Sequence, residues 1–160
     1  MNSSAAEATT SAWSSDLDKA YRVSLIVGIA LGFLSPMIIA GLLLSRTVPP
    51  GRLLPTELVQ EVGYLFTGLV FLAGAWAFWR SGRVLSEFRG VDARRRPEVL
   101  LRTCVLFAAL SELSCILGLV YWLLAGAVAG RHAWGFILLS PLLFLGVVPR
   151  KARWKKALEG

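Results

Sequence analysis

Four apolar runs dominate the hydropathy pattern of the chain, and each is bounded by charged residues. Val23 to Ser45 carries no charge over 23 residues, between Arg22 and Arg46. Val62 to Trp79 carries none over 18, between Glu61 and Arg80. Thr103 to Gly130 extends for 28 residues with a single charge, Glu112, near its middle, and Ala133 to Pro149 adds 17 before Arg150. Crossing a hydrocarbon core of roughly 30 Å takes about 20 helical residues, with about 17 to 25 tolerated. The pattern predicts an all-α integral membrane protein with four transmembrane helices in an antiparallel bundle, over about 22–45, 62–81, 100–126 and 133–149. They form one domain, 21–149. A Ser/Thr/Ala-rich tail, expected to be disordered over 1–20, precedes it, and a basic tail over 150–160 follows. The polar start, with Glu7, Asp16 and Asp18, and the length of the first run argue against a secretory signal peptide.

Charge orients the helices. Of the 17 Lys and Arg residues, 14 fall in the two termini and the second loop. Positive-inside bias then places both termini in the cytoplasm, the topology of a multi-pass protein of a bacterial inner (plasma) membrane. Tyr21, Trp76 and Trp79 fall at inner helix ends and Tyr64, Trp122 and Trp134 near outer ends, as in interfacial aromatic belts. A hydrophobic fraction of 56% fits this reading.

The net charge of +7 does not bring nucleic acid with it. The cytoplasmic basic loop around Arg94, Arg95 and Arg96 and the PRKARWKK tail accompany no recognition module. They hold their segments inside and meet anionic headgroups, for about 1 kcal/mol each. The expected surroundings are the lipid bilayer and either a larger membrane complex or further copies of the chain. A third role for the basic loop is docking an acidic cytoplasmic protein.

In lipid, helices associate by close packing, so small residues mark contacts. On the third helix Cys104, Ala108, Ser111, Cys115 and Gly118 recur at 4,3,4,3 spacing and form one stripe. Leu106, Leu110, Leu113, Leu117, Val120 and Leu124 cover the opposite side, expected to meet lipid. The second helix offers Gly63, Thr67, Val70, Gly74, Ala77 and Ser81, and the first Ser24, Gly28, Gly32 and Ser35. Gly28 and Gly32 make a GxxxG that serves internal packing or dimerisation equally well. The bulky fourth helix is expected at the periphery. Pro36 and Pro141, each preceded by a serine, read as kinks eased by the serine hydroxyl.

Cys104 and Cys115 lie about 16 Å apart by helical rise, too far for a disulfide. His132 stands alone, and no nucleophile–base pair, phosphate loop or metal-ligand cluster appears. No enzymatic activity, cofactor or metal is expected.

Glu112 lies on the edge of the small stripe, beside Ala108 and Cys115. A charge at the bilayer centre is expensive, and no Lys or Arg occupies another apolar run to neutralise it. The carboxyl group is therefore expected to be protonated at rest. Two readings follow: a reversible proton-binding site, or a neutral polar link that fixes helix pairing.

From Ala93 the chain reads ARRRPEVLLRTCVLFAALSELSCILGLVYWLL. This resembles the polar loop and second helix of subunit c of F-type rotary ATP synthases. That family has an ARQPE-like loop, an Arg-Thr entry, a midplane acid and a downstream GLV. The resemblance implies that Glu112 is the proton-carrying carboxylate and that Arg95, Arg96 and Pro97 are the loop motif. The alternating glycines of that family's first helix are absent, since Gly63, Gly68 and Gly74 stand at other spacings. Two further helices flank the hairpin, as in small four-helix bacterial membrane proteins.

Overall fold

The computed structural model describes residues 13–159, which contain helices and no strand. Residues 1–12 of the tail expected over 1–20 lie outside the described residues, and the rest of it enters the first helix. Three helical stretches, Ser15–Leu44, Thr56–Gly90 and Arg96–Glu159, are long and apolar enough to cross a membrane. The first comprises α1 (Ser15–Ile29), a π-helical turn (Ala30–Leu34) and α2 (Ser35–Leu44). Ser14 caps α1 by accepting from the Leu17 N–H, and Asp16 and Asp18 complement the positive helix start. The helix thus begins at Ser15, seven residues before the expected boundary of 22. Polar residues make this entry turn because they cap it; the hydropathy run alone misses them.

The second stretch is α3 (Thr56–Glu87), extended by a 3-10 turn at Phe88–Gly90. The third stretch is not one rod. Helix α4 (Arg96–Ala125) stops at Gly126, whose φ of +66° only glycine adopts readily. A 3-10 turn then leads into α5 (Gly130–Val147), and α6 (Lys151–Glu159) follows. Phe107 clusters with Val147 at one end of the α4–α5 pair, while Gly118 meets Ala133 and Ile137 towards the other. The two helices are therefore antiparallel. Helices α1 and α3 both pack on α4, which has the longest buried face among the described residues.

The small stripe of α4 is where these helices meet. Cys104, Ala108, Ser111, Cys115 and Gly118 are all buried, and both cysteines are free thiols. A Cβ on Gly118 would lie 2.8 Å from the Ala133 carbonyl oxygen and 2.9 Å from Ile137. Here the α4 and α5 backbones come close. On the first stretch, Gly28 and Gly32 form a notch filled by the Phe144 ring of α5, within 2.5 Å and 2.7 Å of where their Cβ atoms would stand. The GxxxG is thus used internally. Gly63 makes room for the Tyr121 hydroxyl, and Gly74 is in ordinary contact with Leu143.

Two expectations change. The fourth apolar segment, α5, is central: Phe136, Ile137 and Phe144 are its knobs, and the glycines of its neighbours are the holes. Of the three stretches the one that contains α3 is least buried, with 17% of its apolar window buried against 44% in the third. The supposed lipid face of α4 is also largely covered. Leu106 is exposed, but Leu110 and Leu117 pack on buried clusters, because α3 and α5 wrap that side. In α3, Gly63, Val70, Ala77 and Ser81 are buried as the stripe predicts, while Thr67 opens onto a groove.

Both ends of the bundle are closed. At one, Trp154 of α6 is fully buried against Phe88, with Leu17, Leu100 and Cys104 around it. Asp18 pairs with Lys151 and with Arg22, and the Tyr21 hydroxyl accepts from the Lys151 N–H at 3.1 Å. At the other end, the segment after α2 crosses the end of α4. Gly51, Leu53 and Leu54 donate backbone hydrogen bonds to the terminal carbonyls of Trp122 and Leu124. The Trp122 carbonyl also accepts from the Gly126 N–H, whereas the Leu124 carbonyl lies at a helix end that leaves it without an intrahelical partner, so the loop caps it.

Close packing sets the first prediction. Gly118→Val should lower stability by about 1–3 kcal/mol through overpacking. Gly82→Ala, at a position with open space around its Cβ site, should stabilise by up to about 1 kcal/mol through helix propensity. Reversible unfolding of the purified chain in mixed micelles measures both.

Candidate functional site

Glu112 is 7% exposed, in the middle of α4, with buried Ala108, Ser111 and Cys115 on its own helix. Its Oε1 accepts a hydrogen bond of 2.5 Å from the Ser35 hydroxyl. Ser35 opens α2 immediately after the π turn. The hydroxyl of Ser140, on α5, neighbours the same carboxyl group. Yet Glu112 Oε2 and Ser140 Oγ are both buried without a hydrogen-bond partner. The carboxyl group thus stands at a junction of the three helices α2, α4 and α5, satisfied on one side and open on the other. None of the ion pairs among the described residues includes Glu112.

Both Ser-Pro dipeptides converge here, which their reading as eased kinks did not anticipate. A mid-helix serine usually gives its proton to its own helix, as Ser24 does to the Tyr21 carbonyl and Ser111 to the Ala108 carbonyl. Ser35 gives its proton to Glu112 instead. The local backbone explains the placement. Pro36 has no N–H, so it cannot continue the helical ladder, and the preceding turn widens until the Ser35 N–H reaches the Ala30 carbonyl. Helix α5 continues through Pro141, which likewise removes a donor for the Ile137 carbonyl one turn earlier. Single π turns of this kind are frequent at functional sites.

The protonation state decides which part Ser140 can play. An ionised carboxylate only accepts, whereas a protonated one carries one donor and keeps an acceptor. A proton on Oε2 can be donated to Ser140 Oγ while Oε1 keeps the bond from Ser35. Without that proton, the Ser140 hydroxyl can turn and donate to the carboxylate instead.

The remaining candidates separate from this site. Ser114 donates to the Phe136 carbonyl at 2.7 Å and Tyr121 to the Val59 carbonyl at 2.7 Å, so each is a link to a neighbouring helix. In the basic loop, Arg94 and Arg95 are exposed, whereas Arg96 donates to the Val91 and Arg89 carbonyls at 3.0 and 3.1 Å. Arg96 holds the turn into α4 and is not a free docking charge. Sequence reasoning missed Ser35 and Ser140 as partners of Glu112. The available signal was a serine before each mid-run proline.

Removing the one formed bond has an asymmetric cost. Ser35→Ala strands a buried acceptor, for which we expect a loss of about 1–3 kcal/mol. Ser86→Ala, which removes an exposed hydroxyl that donates to the Arg83 carbonyl of its own helix, should change stability by less than about 0.5 kcal/mol. The same mixed-micelle unfolding experiment compares the two.

Comparison of the chain with protein-family models, with curated proteins and with solved structures finds no match.

Proposed function

We propose that the chain is a multi-pass membrane protein that reversibly binds a proton at Glu112. In this reading α1–α2, α3, α4 and α5 make four crossings of a bacterial inner membrane, with both termini in the cytoplasm. The distribution of Lys and Arg supports the orientation. The outward apolar residues of α3, among them Leu65, Phe71, Leu72 and Phe78, support lipid contact.

One observation carries the proton-binding reading: the Glu112 carboxyl group is buried beside the Ser140 hydroxyl, with Glu112 Oε2 and Ser140 Oγ both without a hydrogen-bond partner. The serine hydroxyl can serve the carboxyl group as donor or as acceptor, so this neighbour accommodates the acid with and without its proton. Loss of that proton leaves an anion in an apolar contact, with no cation paired to it. The energetic contrast between the two states falls on the helices carrying Ser35 and Ser140. Each has a proline next to the serine, so each has a soft point where it can answer that contrast. The likeness of Ala93 to Leu124 to subunit c of rotary ATP synthases supports the same role for Glu112.

A second reading is a structural or assembly subunit of a larger membrane complex, with Glu112 a permanently neutral link. The Ser35 bond between α2 and α4 favours it. Infrared spectroscopy of the reconstituted protein separates the two. The carbonyl band of the protonated acid, identified by its loss in Glu112→Gln, should disappear reversibly as pH rises between about 5 and 9. It should also shift in Ser140→Ala. A hydrophobic carbodiimide should label Glu112 at the acid end of this range and progressively less towards the alkaline end. An unchanging band with constant labelling would reject proton exchange and leave the structural link.

A further inference from the structure

We infer that a cavity between α3 and α4 is a binding site for the phosphate of an anionic phospholipid. The cavity measures about 460 Å³, within the usual range for ligand sites. Its charged wall is Arg80 from α3 and Arg102 from α4, with Thr103 beside them. Its apolar wall includes Val84, Leu106 and Phe107. The two arginines are the charges that end the apolar runs Val62–Trp79 and Thr103–Gly130. They therefore stand where an apolar layer gives way to a polar one, the level at which lipid phosphates lie. Basic pockets between membrane helices are known hosts for anionic headgroups.

The local charge balance leaves this site positive. Glu87 lines the cavity, but Arg83 holds its carboxylate at 2.8 Å, whereas Arg80 approaches it only to 4.0 Å. Glu98, one turn before Arg102, forms no ion pair among the described residues, and neither does Arg102. A guanidinium presents paired N–H donors that match phosphate oxygens, so two of them from different helices can hold one phosphodiester from both sides. The mixed lining selects the source of that phosphate. Leu106 and Phe107 continue from the arginines towards the apolar middle of α4, where a lipid tail gains contact and a soluble phosphate does not. The inference rests on the membrane location of the chain and is independent of the protonation of Glu112.

Native mass spectrometry of the full chain in detergent tests the site, with phosphatidylglycerol and phosphatidylcholine of matched tails as probes. The wild-type chain should retain one phosphatidylglycerol in preference to phosphatidylcholine. Arg80→Gln with Arg102→Gln should weaken that binding roughly 30-fold. Arg46→Gln with Arg52→Gln, which removes the same charge from exposed positions in no ion pair among the described residues, should leave it within about threefold. Equal losses in the two double variants would overturn the site, because general surface charge would then explain binding. Equal retention of the two lipids, or displacement of phosphatidylglycerol by glycerol phosphate at comparable concentration, would also overturn it.

Discussion

A polar group among apolar helices can find a partner only in the protein, and the arrangement around α4 follows from that constraint. Helix α4 sends a polar link towards each neighbour: Glu112 receives Ser35, Ser114 reaches the Phe136 carbonyl, and Tyr121 reaches the Val59 carbonyl. Such links contribute about 0.6 kcal/mol on average between membrane helices. Losing one partner costs more than the bond contributes, because the other group is then stranded. Their main effect is to fix how the helices register against α4. Cohesion comes from the glycine notches, where Phe144 and Ile137 approach neighbouring helices.

The ends of the bundle restrict where it can yield. Trp154 and the Asp18–Lys151 pair tie the terminal helices together at one end. The Gly51–Leu54 segment ties the α4 turn at the other. Between these closures the helical ladder is interrupted at Pro36 and at Pro141, on the two helices that flank Glu112. The site therefore lies between fixed ends, opposite the softest parts of the walls that enclose it.

Much of this was legible in the sequence. Hydropathy marked the helical stretches, and the 4,3,4,3 spacing on α4 placed Glu112 at the edge of a buried seam. What escaped depended on the relation between helices. Phe136, Ile137 and Phe144 gave α5 a bulky look that read as peripheral, because a knob is recognised only with its hole. The holes were Gly118, Gly28 and Gly32, on other segments. Ser35 and Ser140 were visible as Ser-Pro dipeptides, but their common target emerges only once two helices are set against a third. The segment crossing the end of α4 bonds through its backbone, which leaves little trace in side-chain pattern.

The π turn at Ala30–Leu34 also gives the first apolar stretch a definite rotational phase. Ser24, Gly28, Gly32 and Pro36 are all buried, and they recur every four residues. In a regular helix each such step overshoots a full revolution by about 40°, which moves the later positions off the contact face. A wider turn takes more residues per revolution and returns part of that drift. Composition is blind to this setting. A chain one residue shorter here would be just as apolar and just as helical, yet everything beyond the turn would be rotated by about 100°, carrying Ser35 away from Glu112.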